Sequence, residues 1–120
     1  MTPNEKRHSQ MDRLGFALAG LRSAWVKEAS FRTEVVVGAI VLAAMAWHGY
    51  PLFAWVAVLF ALALALSAEL MNTAIEHVCD ALHPERHAFI KIAKDCASAG
   101  VLVANLSGLL VLAVLVFYRG

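Results

Sequence analysis

Charge is scarce in this chain. Asp, Glu, Lys and Arg make up 16% of its 120 residues, where a soluble domain averages about 25%. A soluble domain of this size exposes too much surface to cover with so few polar groups, so a soluble globular enzyme is not expected. Cysteine is also sparse. Cys79 and Cys96 are too few for a disulfide framework and lack metal-site spacing, and both are expected to be small, buried and reduced. No glycine-rich phosphate loop, Walker sequence, Ser-His-Asp or Cys-His arrangement is present. The five histidines, His8, His48, His77, His83 and His87, are too scattered to suggest zinc. A formal net charge of +1 offers no bulk attraction to nucleic acid, and no nucleic-acid partner is expected. The first 30 residues carry charges throughout and hold no apolar core segment, so no cleavable signal peptide is expected.

Apolar residues are abundant instead. They make up 61% of the chain, and the mean hydropathy is +0.69, which excludes disorder. The length allows one domain, residues 1–120. Three long apolar stretches mark spans at about 31–50, 52–80 and 97–118. The second includes an extension beyond Ala68 into the cytoplasm. Lipid permits only helices or closed barrels, and three runs cannot close a barrel. Residues 11–30 read as an interfacial helix: Leu14, Leu18, Leu21 and Trp25 recur at spacings of four, three and four, with Arg22 and Lys27 in reach of headgroups. The expected fold is an all-α membrane protein with an amphipathic surface helix and three transmembrane helices.

Basic residues set the orientation. Lys6, Arg7, Arg13, Arg22, Lys27 and Arg32 precede or open the first span, and Arg86, Lys91 and Lys94 lie between the second and third. The Gly49–Pro51 loop has none, and only Arg119 follows the third span. The positive-inside rule places the N-terminus in the cytoplasm and the C-terminus outside. Trp47, Tyr50, Trp55 and Tyr118 then fall at the outer interface.

The second span carries the strongest chemical signal. Glu69, Asn72, Thr73, Glu76 and Asp80 lie at offsets of 0, 3, 4, 7 and 11, one stripe of a helix at about 100° per residue. An acidic stripe continuing an apolar span is costly unless it faces protein or water. A helix starting at Leu52 brings Glu69 about 26 Å along, near the membrane boundary, and Glu76 about 10 Å further into water. One carboxylate would meet a lipid headgroup and the other a soluble cosubstrate. The simpler alternative is a helix leaving the membrane with a solvated face. It suits His77 and Asp80 better than Glu69 and Asn72, which Ile75 and Val78 follow. Further polar clusters lie at Lys91–Asp95 and around Glu28, within Trp25–Glu34.

The octapeptide Glu-Leu-Met-Asn-Thr-Ala-Ile-Glu (69–76), then Asp80 and Ala-Lys-Asp (93–95), resembles the prokaryotic diacylglycerol kinase family. Gly-Leu-Arg-Ser-Ala-Trp (20–25) and Glu-Ala-Ser-Phe-Arg-Thr-Glu (28–34) resemble its Gram-negative branch. The resemblance runs from about Gly15 to Phe117. It implies a homotrimeric lipid kinase of the bacterial inner membrane that uses ATP and Mg2+ to convert diacylglycerol to phosphatidic acid. It implies Glu69 as general base, Glu28 and Glu76 as Mg2+ ligands, and Asn72 and Asp80 as supporting groups. The nucleotide contacts it implies are Phe16, Glu28, Glu76, Glu85, Arg86, His87, Lys94 and Asp95. The lipid contacts are Arg22, Ser23, Ala24, Trp25, Ser30, Phe31, Arg32, Thr33, Glu34, Trp47, His48, Gly49, Tyr50, Trp55, Glu69 and Ser98. Phe16 replaces a tyrosine of the family. Ser9 stands where the family has a basic residue, with Arg7 and Arg13 as nearby replacements. Leu82-His83-Pro84 and Phe89-Ile90-Lys91-Ile92 lean toward the undecaprenol-kinase branch, which makes undecaprenol the rival substrate. A non-catalytic membrane subunit is the rival from another class.

Overall fold

The computed structural model describes residues 9–82 and 87–119. The order of elements is α1 (Gln10–Lys27), α2 (Ala29–His48), α3 (Leu52–Leu82) and α4 (Ala88–Arg119), with no strand among the described residues. Three helices, α2, α3 and α4, are long and apolar enough to cross a membrane. The chain is therefore an all-α, multi-pass membrane protein. Glu85 and Arg86, expected nucleotide contacts, and Arg7 lie outside the described residues.

Ser9 starts α1. Its Oγ accepts from the Asp12 backbone N–H at 3.2 Å, and the Asp12 carboxylate accepts from the Ser9 N–H at 3.1 Å. This reciprocal cap satisfies two backbone donors that the first helical turn leaves free. Helix α1 ends at Lys27, three residues short of the expected end at Ser30. Glu28 leaves helical geometry, with φ −110° and ψ 107°, and its N–H donates to Ala24 O at 2.8 Å. Arg32, four residues on, turns its guanidinium back onto the free end of α1. Its Nη1 donates to Trp25 O at 2.7 Å and to Val26 O at 3.0 Å. A cation on the last carbonyls of a helix is favourable both as a hydrogen-bond donor and toward the helix dipole. Arg32 thus pins the break at which Glu28 stands.

Helix α2 ends at Gly49, whose φ of 72° is left-handed and whose N–H donates to Met45 O at 2.9 Å. A Cβ in that geometry costs about 1–2 kcal/mol. Gly49→Val is expected to destabilise the protein by about that amount, read as an earlier melting transition in detergent. Pro51 O accepts from Ala54 N at 3.0 Å and opens α3. Beside this turn, Met45, Ala54 and Val58 form a buried core, with Val41, Leu42, Tyr50, Trp55, Val111, Leu112 and Leu115 packed around it. Helix α3 packs most extensively on α4, then on α2, while α1 touches α2 and α3.

Helix α4 starts at Ala88, nine residues before the apolar run begins. His87 caps it: its Nδ1 accepts from the Phe89 N–H at 3.2 Å, and its carbonyl accepts from Lys91 N at 2.9 Å. The pair Lys91–Asp95, at 2.6 Å and four residues apart, continues the helix. No Gly or Pro interrupts 88–99, so the polar turns and the apolar span are one helix of 32 residues. At 1.5 Å per residue, α3 and α4 run about 45–50 Å, well beyond a hydrocarbon core about 30 Å thick. Both therefore project past the membrane at the end away from Gly49. Cys79 is buried as expected, but Cys96 is exposed on α4, because this polar extension has few neighbours; both are free thiols.

Candidate active site at the membrane edge

The stripe on α3 grades from buried to exposed along its length. Glu69 is only 6% exposed, the sole charged residue among the buried groups described. Asn72, Thr73 and Glu76 are half-buried, and Asp80 is exposed. A helix passing from protein interior to water, with its polar face toward α2 and α4, has this gradient.

Each carboxylate of the stripe meets a partner that fixes it. Ser30, at the start of α2, donates its hydroxyl to Glu69 Oε2 at 3.2 Å, a contact across 39 residues of sequence. A buried carboxylate without a donor carries a large desolvation cost, and the serine offsets part of it. Only one oxygen is engaged this way. Asn72 donates its Nδ2 to Glu76 Oε1 at 3.2 Å, one turn along the same helix. The Asn72 Oδ1 is buried and has no hydrogen-bond partner, an orphan acceptor beside Glu76. Asp80 binds Lys94 of α4 at 2.7 Å, which ties the projecting ends of the two helices together. His77 is exposed, and its Nδ1 contacts Thr73 O at 2.8 Å.

The other expected residues are less uniform in placement. Glu28 sits half-buried at the α1–α2 break. Ala24 and Phe31 are buried against the chain itself, whereas Trp25 is 45% exposed and Trp47 is 88% exposed. Arg22, Ser23 and Ser98 are exposed, and Thr33 donates its hydroxyl to Ala29 O at 2.9 Å. Phe16 is exposed on α1, and His48 lies at the end of α2. Asp95 pairs with Lys91 and His87 serves as a helix cap. No group of three metal-ligating side chains occurs among the described residues. A Mg2+ ion is commonly held by one or two carboxylates with phosphate oxygens and is rarely caged by protein alone. The orphan Asn72 oxygen beside Glu76 is the feature that fits such an ion or its water.

The chain is similar in sequence to several characterised proteins. The sequence profile of the family described as prokaryotic diacylglycerol kinase matches residues 15–117. The chain is 36% identical over 90 residues to a diacylglycerol kinase of Escherichia coli K12, covering 75% of this chain and 74% of that protein. It is 34% identical over 90 residues to a diacylglycerol kinase of Pseudomonas aeruginosa, covering 75% and 73%. It is 33% identical over 89 residues to a diacylglycerol kinase of Haemophilus influenzae, covering 74% and 75%.

Proposed function

Because the chain belongs to the prokaryotic diacylglycerol kinase family, we propose that it phosphorylates diacylglycerol with ATP at the cytoplasmic face of the inner membrane, giving phosphatidic acid and ADP. The observation that carries this reading is the buried Glu69, followed along one helix face by groups of increasing exposure. Such a face lets a lipid hydroxyl arrive from the membrane side and a nucleotide from the water side.

In this reading Glu69 takes the proton of the lipid hydroxyl while Ser30 holds its other oxygen. Glu28 and Glu76 would hold Mg2+, with Asn72 orienting Glu76; the ion supplies charge neutralisation on the phosphates. Lys94 and Asp95, with Glu85, Arg86 and His87 nearby in sequence and Phe16 from α1, form the nucleotide side. Asp80 sets the direction of Lys94. Asp80→Asn is expected to raise KM for ATP about three- to tenfold with KM for lipid unmoved, measured by steady-state kinetics in mixed micelles. One chain with three spans cannot enclose both ligands, so the working unit is a homotrimer with sites shared between neighbours. The basic residues before the first span support a cytoplasmic N-terminus and a periplasmic C-terminus.

Undecaprenol is the second reading for the lipid, favoured by Leu82-His83-Pro84 and Phe89-Ile90-Lys91-Ile92. The purified protein, given diacylglycerol and undecaprenol side by side with ATP and Mg2+, is expected to label diacylglycerol. Labelling of undecaprenol alone would overturn the substrate assignment, and labelling of neither would overturn the kinase reading.

A further inference from the structure

Nothing in the local sequence forces the chain to break at Glu28. No Gly or Pro lies between Leu21 and Val37, so one continuous helix is open to these residues. Yet α1 stops at Lys27 and α2 starts at Ala29, with Glu28 alone in extended geometry. The break strands two carbonyls. In an unbroken helix Trp25 O and Val26 O would accept from the amides of Ala29 and Ser30, which here open the next helix. Arg32 takes their place. One nitrogen, Nη1, carries two N–H groups and meets both oxygens, at 2.7 and 3.0 Å. A side chain of α2 thus caps α1 and holds the break.

The same contact decides what is left for Glu28. A glutamate and an arginine four residues apart on a helix surface ordinarily pair. Here the guanidinium is drawn to the carbonyls, and the ion pairs among the described residues are Lys91–Asp95 and Lys94–Asp80. Glu28 also makes no side-chain capping bond, although it stands at the N-cap of α2. Its carboxylate is half-buried and unengaged, while its backbone is fixed on both sides. The Glu28 N–H donates to Ala24 O at 2.8 Å, and its carbonyl accepts from the Arg32 N–H at 3.2 Å. A fixed backbone carrying a free carboxylate is what a metal ligand requires.

We propose that Arg32 is a positioning residue for Glu28: it holds the α1–α2 break and, by staying on the carbonyls, leaves the Glu28 carboxylate free for the cation. This rests on the reading of Glu28 as a Mg2+ ligand, and it gives Arg32 a task other than the lipid contact that the resemblance implies. Without the guanidinium, the amides of Ala29 and Ser30 can return to Trp25 O and Val26 O. A helix carried through residue 28 turns the Glu28 carboxylate away from its present direction.

The test reads the metal directly, without turnover. Mn2+ stands in for Mg2+, a non-hydrolysable ATP analogue supplies the phosphates, and free Mn2+ is counted by electron paramagnetic resonance. In Arg32→Gln the Mn2+ affinity of the protein–nucleotide complex is expected to fall about tenfold or more, as when a group behind a metal ligand is removed. Glu28→Gln is the reference. Adding Arg32→Gln to it is expected to weaken Mn2+ binding no further, because both act through one carboxylate. In steady-state kinetics the Mg2+ concentration at half-maximal rate should rise by a similar factor in Arg32→Gln, with KM for diacylglycerol unmoved. Arg32→Lys, whose ammonium pairs well with a glutamate four residues earlier, is expected to weaken Mn2+ binding too, and it decides alone if Arg32→Gln does not fold. Wild-type Mn2+ affinity in the arginine variants beside a weakened Glu28→Gln would overturn the positioning role. So would a raised KM for diacylglycerol at unchanged Mg2+ dependence, which would make Arg32 a lipid contact. Unchanged Mn2+ affinity in Glu28→Gln itself would overturn the reading of Glu28 as a metal ligand, and the positioning role with it.

Discussion

Glu69→Gln is expected to lower kcat about 10²–10⁴-fold while KM for ATP stays within a few-fold of the wild type. Glutamine keeps the size of the side chain and can still meet the Ser30 hydroxyl, so the variant folds. What it cannot do is accept a proton. Neutralising a buried carboxylate removes a desolvation cost, so the variant should melt no lower than the wild type in detergent, and a residue of purely structural role would show only that. Loss of turnover together with retained stability separates the two roles. Single-turnover transfer near the wild-type rate in a well-folded Glu69→Gln protein would reduce Glu69 to a packing residue.

Glu28→Gln and Glu76→Gln are each expected to be nearly inactive alone and to recover activity when their chains are mixed. The two carboxylates belong to different parts of the fold, the α1–α2 break and the projecting end of α3. They share no cluster of three metal-ligating side chains among the described residues. If one neighbour supplies Glu28 and the other Glu76 around a closed ring, random mixing in equal amounts leaves about a quarter of the sites with both. Activity should therefore rise from near zero to about a quarter of the wild type, and high Mg2+ should partly rescue Glu76→Gln on its own. No recovery in verified mixed assemblies would place both carboxylates in one chain's site.

The sequence carries the spans and the stripe clearly because both are one-dimensional signals. Hydropathy summed over about 20 residues marks a helix that lipid must surround. A rotation of about 100° per residue puts Glu69, Asn72, Glu76 and Asp80 on one face without reference to anything else. The limits arise where a residue's partner is distant or its role is local. The Ser30–Glu69 bond joins residues 39 apart, and no periodicity links them. Arg32 looks like a basic anchor near a headgroup, yet its guanidinium is engaged with the carbonyls of Trp25 and Val26. Ser9 departs from the family's basic residue but supplies the cap of α1, with Asp12 three residues on as the signal that marks it. Apolar counting does not reach the start of α4 at Ala88, because it registers the membrane and not the helix; the i,i+4 pair Lys91–Asp95 is the signal of the polar turns.

In the proposed reaction a lipid hydroxyl, deprotonated by Glu69, attacks the γ-phosphorus of ATP directly. A buried glutamate has a second possible use, as a nucleophile that first takes the phosphoryl group onto its own carboxylate. Glu69→Gln abolishes both, so the configuration at phosphorus decides between them. With ATP made chiral at the γ-phosphorus by isotopic oxygen and sulfur, one direct in-line displacement inverts that centre in the lipid product, and inversion is the result expected here. Retention would require two displacements through a phosphorylated enzyme and would contradict the assignment of Glu69 as a base.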